Sequence, residues 1–323
     1  MLYVVTLQFV TPRQTSQLML LVITVVTTRL MKNYYSNQRY QLLKNQYLGV
    51  TCNQCGEIIN VPFILSMMTN FMTTTTSFVL TSYNIHKGMS PMNRQVKIQG
   101  IAQALDIIGS DVLCLQEVQG QNLKRNMQYN EYPDQSQHEW FGEYLQLQNS
   151  YGKNSEYDNG HHGNAVLSRF PLDPKHNVNI TVNKLEQRGV LHCEVQPVGW
   201  DVPVVVLCAH LNLFERDRIK QYEAIANYVR NEIAPGQPLI LAGDFNDWKK
   251  MSCDKLATSL GMTEAFKHCH GKLLPTFPAK LPVLSLDRIY VRNLRVKNAW
   301  VHTGKPWSTL SDHLPLSAEL AHL

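Results

Sequence analysis

Five apolar runs of this chain end in, or open on, side chains that can hold a cation or a phosphate. "SYNIHKG" delivers Asn84, "LCLQEV" Glu117 and "CAHLNL" His210, "LAGDFNDW" delivers Asp244 and Asn246, and "LSDHLPL" offers Asp312 and His313. A single polar strand end is an ordinary turn, because Asp and Asn bond nearby backbone and tolerate unusual angles. The same ending at so many runs points to a shared rim. If neighbouring strands gather these ends, Glu117, Asp244 and Asp312 come close, and their repulsion calls for a cation. Carboxylate and amide oxygens are hard ligands, suited to Mg²⁺ or Mn²⁺ rather than to zinc.

Such a rim needs a rigid frame behind it. Strand-like runs recur at 77–86, 110–118, 163–170, 190–196, 202–211, 238–246, 286–293 and 314–320. Two helices are expected between them. Residues about 94–109 place Ile98, Ile101, Ala102, Leu105 and Ile108 on one face. Residues about 214–233 do the same with Ile219, Tyr222, Ala226, Val229 and Ile233, and "APG" then closes the helix. Many strands and few helices predict an α/β fold of two packed sheets with helices outside. Residues 119–162 read as a long polar and aromatic connection with one short helix at "HEWFGEYLQL". Connections of that length usually carry function.

The net charge of +5 is unevenly placed. Residues 1–79 hold five basic residues against the single acid Glu57, which leaves 25 basic and 24 acidic residues for the rest. The patterned region therefore lacks the large basic excess of a protein held to nucleic acid by charge alone. An odd number of cysteines, 7, with Cys114 and Cys208 inside apolar runs, suits a reducing compartment such as the cytoplasm.

Residues 1–76 do not share the pattern. The apolar core Leu18–Val26 is about half the ~20 residues a bilayer span needs. "CNQCG", from Cys52, is half of a four-ligand zinc site with no second pair following. Three readings stand for this extension: a membrane-associating segment, a soluble appendage, or upstream sequence translated from a start codon set too early. Met67, Met68 and Met72, just before the first patterned strand, favour the third.

From about residue 78 onward the blocks "NIHKG", "LQEV", "HGNAVLSR", "RGVL", "AHL", "GDFND", "LDRIYV" and "SDHLPL" follow one another in order. In this series the chain resembles the endonuclease/exonuclease/phosphatase superfamily, also called DNase I-like, and most strongly a bacterial branch of it. The resemblance implies a four-layer α/β-sandwich of two mainly antiparallel sheets, and Mg²⁺-dependent hydrolysis of phosphoesters with Mn²⁺ as an alternative metal. It implies Glu117 as principal metal ligand with Asn84 and Asp312 beside it. Asp244 would be the base for the attacking water, and Asn246 would hold that water and a phosphoryl oxygen. His313 would stabilise the phosphoryl charge, with Asp287 orienting its ring. His210 would be a second donor. His161 or its neighbour His162 would face the substrate, and Asn164 would touch substrate or shape a turn. Arg188 is open between a phosphate contact and a structural ion pair. Thr276 and Phe277 are open between a substrate-side loop and packing.

These residues fit phosphodiester hydrolysis, since a cation neutralises the phosphate oxygens and lowers the pKa of bound water. The expected substrate is nucleic acid, cut as by an endonuclease or exonuclease. Phospholipid or inositol-phosphate head groups are the alternative, and a catalytically inactive binding module is the reading from another class. A monomer is expected.

Overall fold

Strands form where the sequence is apolar at consecutive positions, and each face of a strand then needs its own cover. The computed structural model describes residues 49–51, 58–60 and 75–323. The chain divides into two units, residues 1–72 and 73–323. In the first, β1 (Gly49–Thr51) pairs antiparallel with β2 (Ile58–Asn60), Val50 opposite Ile59. The expectations placed on Leu18–Val26 and on "CNQCG" lie outside the described residues. Among the described residues no helix is long and apolar enough to cross a membrane.

The second unit holds two six-stranded sheets. One contains β3 (Ser77–Asn84), β4 (Val112–Asn122), β5 (Gln148–Tyr157), β6 (Gly160–Ser168), β13 (Leu294–Val301) and β14 (Leu316–His322), in the order β13-β14-β3-β4-β6-β5. The other contains β7 (Leu172–Asn179), β8 (Gly189–Val195), β9 (Val204–His210), β10 (Leu239–Asp244), β11 (Thr263–Glu264) and β12 (Asp287–Arg292), in the order β11-β12-β10-β9-β8-β7. Each sheet has one parallel pair, β3 with β4 and β9 with β10, and is otherwise antiparallel.

A parallel pair needs a crossover, and a helix supplies it in both cases. The first crossover contains α1 (Ile98–Ile108) and the second α4 (Glu215–Glu232). The unit also holds four shorter α-helices among the described residues: α2 (Leu123–Gln128), α3 (Gln137–Leu145), α5 (Ala265–His270) and α6 (Trp307–Leu310).

Alternation along β9 shows how the layers stack. Val204, Val206 and Cys208 point into the seam between the sheets, against Phe78, Leu80 and Cys114. Val205, Leu207 and Ala209 point outward to Tyr222, Ile225 and Val229 of α4. On the other sheet, Leu113 and Leu115 of β4 point outward to Ile101, Leu105 and Phe141. Helix, sheet, sheet and helix make the expected four-layer α/β-sandwich. Truncating Leu207, buried on the outer side, to Ala costs about 2–5 kcal/mol.

Three local readings change. Residues 119–162 are not a long connection: β4 runs on to Asn122, and α2, α3 and β5 fill the rest. The strand β5 is a polar sheet edge, "QNSYGKNSEY", so it shows no apolar run. In α4, Ile219 is only half-buried, whereas Arg218 and Gln221 are buried. Gln221 accepts from Asn212 N at 2.9 Å and donates to Ile180 O at 3.1 Å, so it orders the loop that leaves β9.

Candidate active site

Asn84 ends β3, His210 ends β9 and Asp244 ends β10, so both parallel pairs deliver polar side chains at the same edge of the sandwich. Close approach at this edge requires Gly243, with φ 148°: a Cβ there would lie 1.8 Å from Ala209 O. Glu117 reaches the rim differently. It sits in β4 where the register with β6 shifts between Leu115 and Val118, and its φ is 55°. The bulge turns its carboxylate out of the strand alternation. Asn246, at φ 48°, is of the residue type that best tolerates the left-handed region.

Asp244 is the centre of the cluster and is 1% exposed. Its Oδ2 accepts from Asn84 Nδ2 at 3.0 Å and lies 3.5 Å from the Nε2 atoms of both His210 and His313. Its Oδ1 accepts from Asn246 N at 2.9 Å. Behind His313, Asp287 Oδ2 meets Nδ1 at 2.9 Å, and Thr276 Oγ1 donates to the same oxygen at 2.5 Å. Asn246 Nδ2 donates to Leu211 O at 2.9 Å.

Glu117 forms the second centre. Lys87 Nζ stands 2.8 Å from its Oε2, and Asn84 Nδ2 is 3.5 Å from its Oε1. Burial opposes its charge, but Lys87 holds the carboxyl well below the usual carboxylate range. Asp312 Oδ1 lies 3.3 Å from His86 Nδ1. Asp312 too is held below its usual range: burial and Glu117 oppose its charge, and His86 and His313 outweigh them.

The histidines divide by charge. Burial would lower His313, but the charges of Asp287 and Asp244 push it up to about 10. His210 is pushed down to about 3 by burial and by Arg188. His162 falls to about 4, chiefly by burial.

Of the residues named from sequence, Asn84, Glu117, His210, Asp244, Asn246, Asp287, Asp312 and His313 are brought together here. Two placements differ. His161 hydrogen-bonds Tyr151 Oη through Nδ1 at 3.0 Å, while its neighbour His162 senses Lys87 and Glu117. Strand alternation puts successive side chains on opposite faces, so His162 rather than His161 belongs to the rim. Asn164, 1% exposed, lies within β6, where it neither shapes a turn nor meets solvent. Its Nδ2 donates to Gly189 O at 2.9 Å and Cys208 O at 3.0 Å, tying one sheet to the other.

Sequence reasoning gave no role to Lys87 or His86, though both stand in "NIHKG" and both pair with rim carboxylates. It left Thr276 open, and the structure makes it the support of Asp287. Phe277 packs its ring 5.0 Å from that of His313. Arg188 does make an ion pair, with Glu186 at 3.3 Å.

A sandwich of this topology with an acid and histidine rim across its seam is the architecture of phosphoric ester hydrolases. The chain belongs to the endonuclease/exonuclease/phosphatase family, whose model matches residues 81–313. It is 38% identical over 244 residues to the uncharacterized protein YbhP of Escherichia coli strain K12, covering 76% of this chain and 96% of that protein. Its fold is similar to that of an endonuclease/exonuclease/phosphatase from Beutenbergia cavernae, with TM-score 0.64, 18% identity, and coverage of 76% of this chain and 72% of the other. It is also similar to D. rerio TDP2 complexed with single strand DNA product, with TM-score 0.56, 15% identity, and coverage of 76% and 99%.

Proposed function

We propose that the protein is a Mg²⁺-dependent phosphodiesterase that cuts nucleic acid. The observation that carries this reading is the array Asp287–His313–Asp244, a hydrogen bond on one side of the ring and a 3.5 Å ion-pair approach on the other, which Asn84 links to Glu117 on the same rim. In it Asp244 takes the proton of the attacking water, and Asn246 helps to hold that water. His313, kept protonated by its two carboxylates, donates to a phosphoryl oxygen as charge develops there. His210, buried and neutral, serves as a hydrogen-bonding partner rather than as a fixed charge. His162 faces the substrate in place of His161.

Two groups of donors suit a divalent cation. Asp244, Asp287 and His313 bring ligand atoms within 4.8 Å of one another. A proton on His313 removes the lone pair that a metal needs, so the Glu117 side fits better. Glu117 is ionised and close to Asp312, which repels it, and Lys87 is the one cationic side chain bonded to it among the described residues. Hard oxygen donors of this kind suit Mg²⁺, or Mn²⁺ in its place. Glu117 would hold the ion, with Asp312 beside it. Asn84 turns its Nδ2 to the carboxylates while its Oδ1 accepts from His86 N at 3.0 Å, so here it is a support for Glu117 and Asp244. The ion, when bound, neutralises phosphate oxygens and acidifies water.

Nucleic acid is the proposed substrate partly because a protein of the same fold, D. rerio TDP2, is complexed with single strand DNA product. A phospholipid or inositol-phosphate head group is the second reading. It is favoured by exposed Leu213, Phe214 and Trp248 in the loops that leave His210 and Asn246.

The test incubates the full chain, with and without Mg²⁺, on labelled single-stranded, duplex and abasic DNA and on phospholipid and inositol phosphates. Asp244→Asn runs alongside to exclude a contaminating nuclease. Mg²⁺-dependent DNA cutting that vanishes in the variant supports the reading. Turnover of lipid or inositol phosphate alone replaces it with the second.

A further inference from the structure

Beside the rim, which it touches at Asp312, lies an open groove of about 960 Å³. Four cationic side chains line it, Arg94, Lys97, Lys280 and Lys305, and Asp312 is its one acid. They come from three separated stretches: the loop before α1, the connection between α5 and β12, and the connection between β13 and β14. Among the described residues none of the four has a salt-bridge partner. Residues 80–323 carry 25 basic and 24 acidic residues, so this is a local concentration of charge and not a general basic surface.

A concave surface lined mostly by one sign of charge focuses the field and raises the local concentration of anions. The groove lies outside the cluster around Asp244, whose own donors suffice for one phosphoryl group. At about 960 Å³ it is far larger than a single phosphate, and its four cations come from three stretches of chain. Met92 and Leu281, 67% and 74% exposed, also line it and offer apolar surface. No aromatic ring lines it, which leaves nothing for base stacking and argues for contacts to a backbone.

We propose that this groove binds the sugar–phosphate backbone of the strand flanking the phosphate held at Asp244 and Glu117, which rests on the phosphodiesterase reading above. Consecutive phosphates meet Arg94, Lys280 and Lys305, and the sugars lie against Met92 and Leu281. The site is concave, which suits a strand, whereas a flat anionic membrane needs a protruding patch. Because the contacts are to phosphate, binding there is indifferent to base sequence and sensitive to salt.

The test measures anisotropy of a labelled single-stranded oligodeoxynucleotide with the full chain in EDTA, over a range of salt. The variant Arg94→Gln/Lys280→Gln/Lys305→Gln leaves Lys97 in place, since that residue precedes α1. Its melting temperature is measured to show that it folds. The expected result is an affinity at least tenfold weaker, and a plot of log K against log salt shallower by roughly 2, given about 0.7 per phosphate contact for single strands. Arg295→Gln changes neither, because Arg295 pairs with Ala321 at the far end of its sheet.

Unchanged affinity and slope in the folded triple variant overturn the proposal. So does a wild-type chain that binds no oligonucleotide but binds vesicles of anionic phospholipid, with that binding lost in the variant. Cleavage without any dependence on the groove leaves the hydrolase reading standing and removes this one. Groove-dependent binding without cleavage under any metal does the reverse.

Discussion

His210 and His313 hold their Nε2 atoms at the same 3.5 Å from Asp244 Oδ2, yet they stand in opposite charge states. Both are buried, so burial alone would leave both neutral. The difference lies one residue further back. His313 leans on Asp287, which is itself fixed by Thr276, whereas His210 has the cation Arg188 within range and, among the described residues, no carboxylate in an ion pair with it besides Asp244. One carboxylate between two rings thus receives a charged donor on one flank and a neutral one on the other. Residues one step removed from Asp244 decide which flank is which.

Removing the carboxylate they share should have the largest effect. Asp244→Asn is expected to lower kcat about 10³-fold with the fold intact, checked by steady-state rates beside circular dichroism. Next comes the support of the charged flank. Asp287→Asn should lower kcat about 10²-fold and bring the alkaline limb of the pH–rate profile down from near pH 10. An unmoved limb would mean that Asp287 does not set the charge of His313. The sign for stability follows from the same shift. His313 binds its proton more tightly folded than unfolded, where its pKa is about 6.5. Its contribution is therefore complete below that pH and is lost as pH rises through about 10.

The neutral flank gives smaller effects. Arg188→Gln should raise the His210 pKa above about 3 without restoring it, because burial is the larger cause, and NMR titration reads this directly. A buried histidine away from the rim isolates burial itself. His192, hydrogen-bonded to Tyr228 Oη at 2.7 Å, is pushed down to about 4 chiefly by burial. A group lowered on folding contributes stability above its unfolded pKa, and that contribution is lost as pH falls through about 4. The fall in melting temperature between pH 6.5 and 4 should be shallower in His192→Gln.

Most of the frame was legible because central strands are buried on both faces and read as apolar runs, as in "VVVLCAH" of β9. Edge strands were not. The strand β7 is exposed at most positions and carries Pro174, which an edge tolerates since it leaves no central ladder bond unmade. The rim residues could be named because a polar side chain ending an apolar run stands out. Their roles were harder to read. The choice between His161 and His162 depends on strand register, which a bulge in β4 alters. The burial of Asn164 between the sheets, and the support of Asp287 by Thr276, come from contacts that no local pattern records.

The rim also straddles the seam. Asn84 and Glu117 belong to one sheet, and Asp312 and His313 stand in the loop that leads into its strand β14, while His210, Asp244 and Asp287 belong to the other sheet. Their mutual spacing is therefore set by the thickness of what lies underneath. Just below the rim that filling is small, Cys114, Cys208 and Ala242, all fully enclosed. A bulkier residue at any of these positions would prise the two carriers apart and separate Asp244 from Glu117 while leaving each of them intact. Inherited change in the geometry of the rim can thus arise from volume in the filling, at positions that lie outside the rim itself.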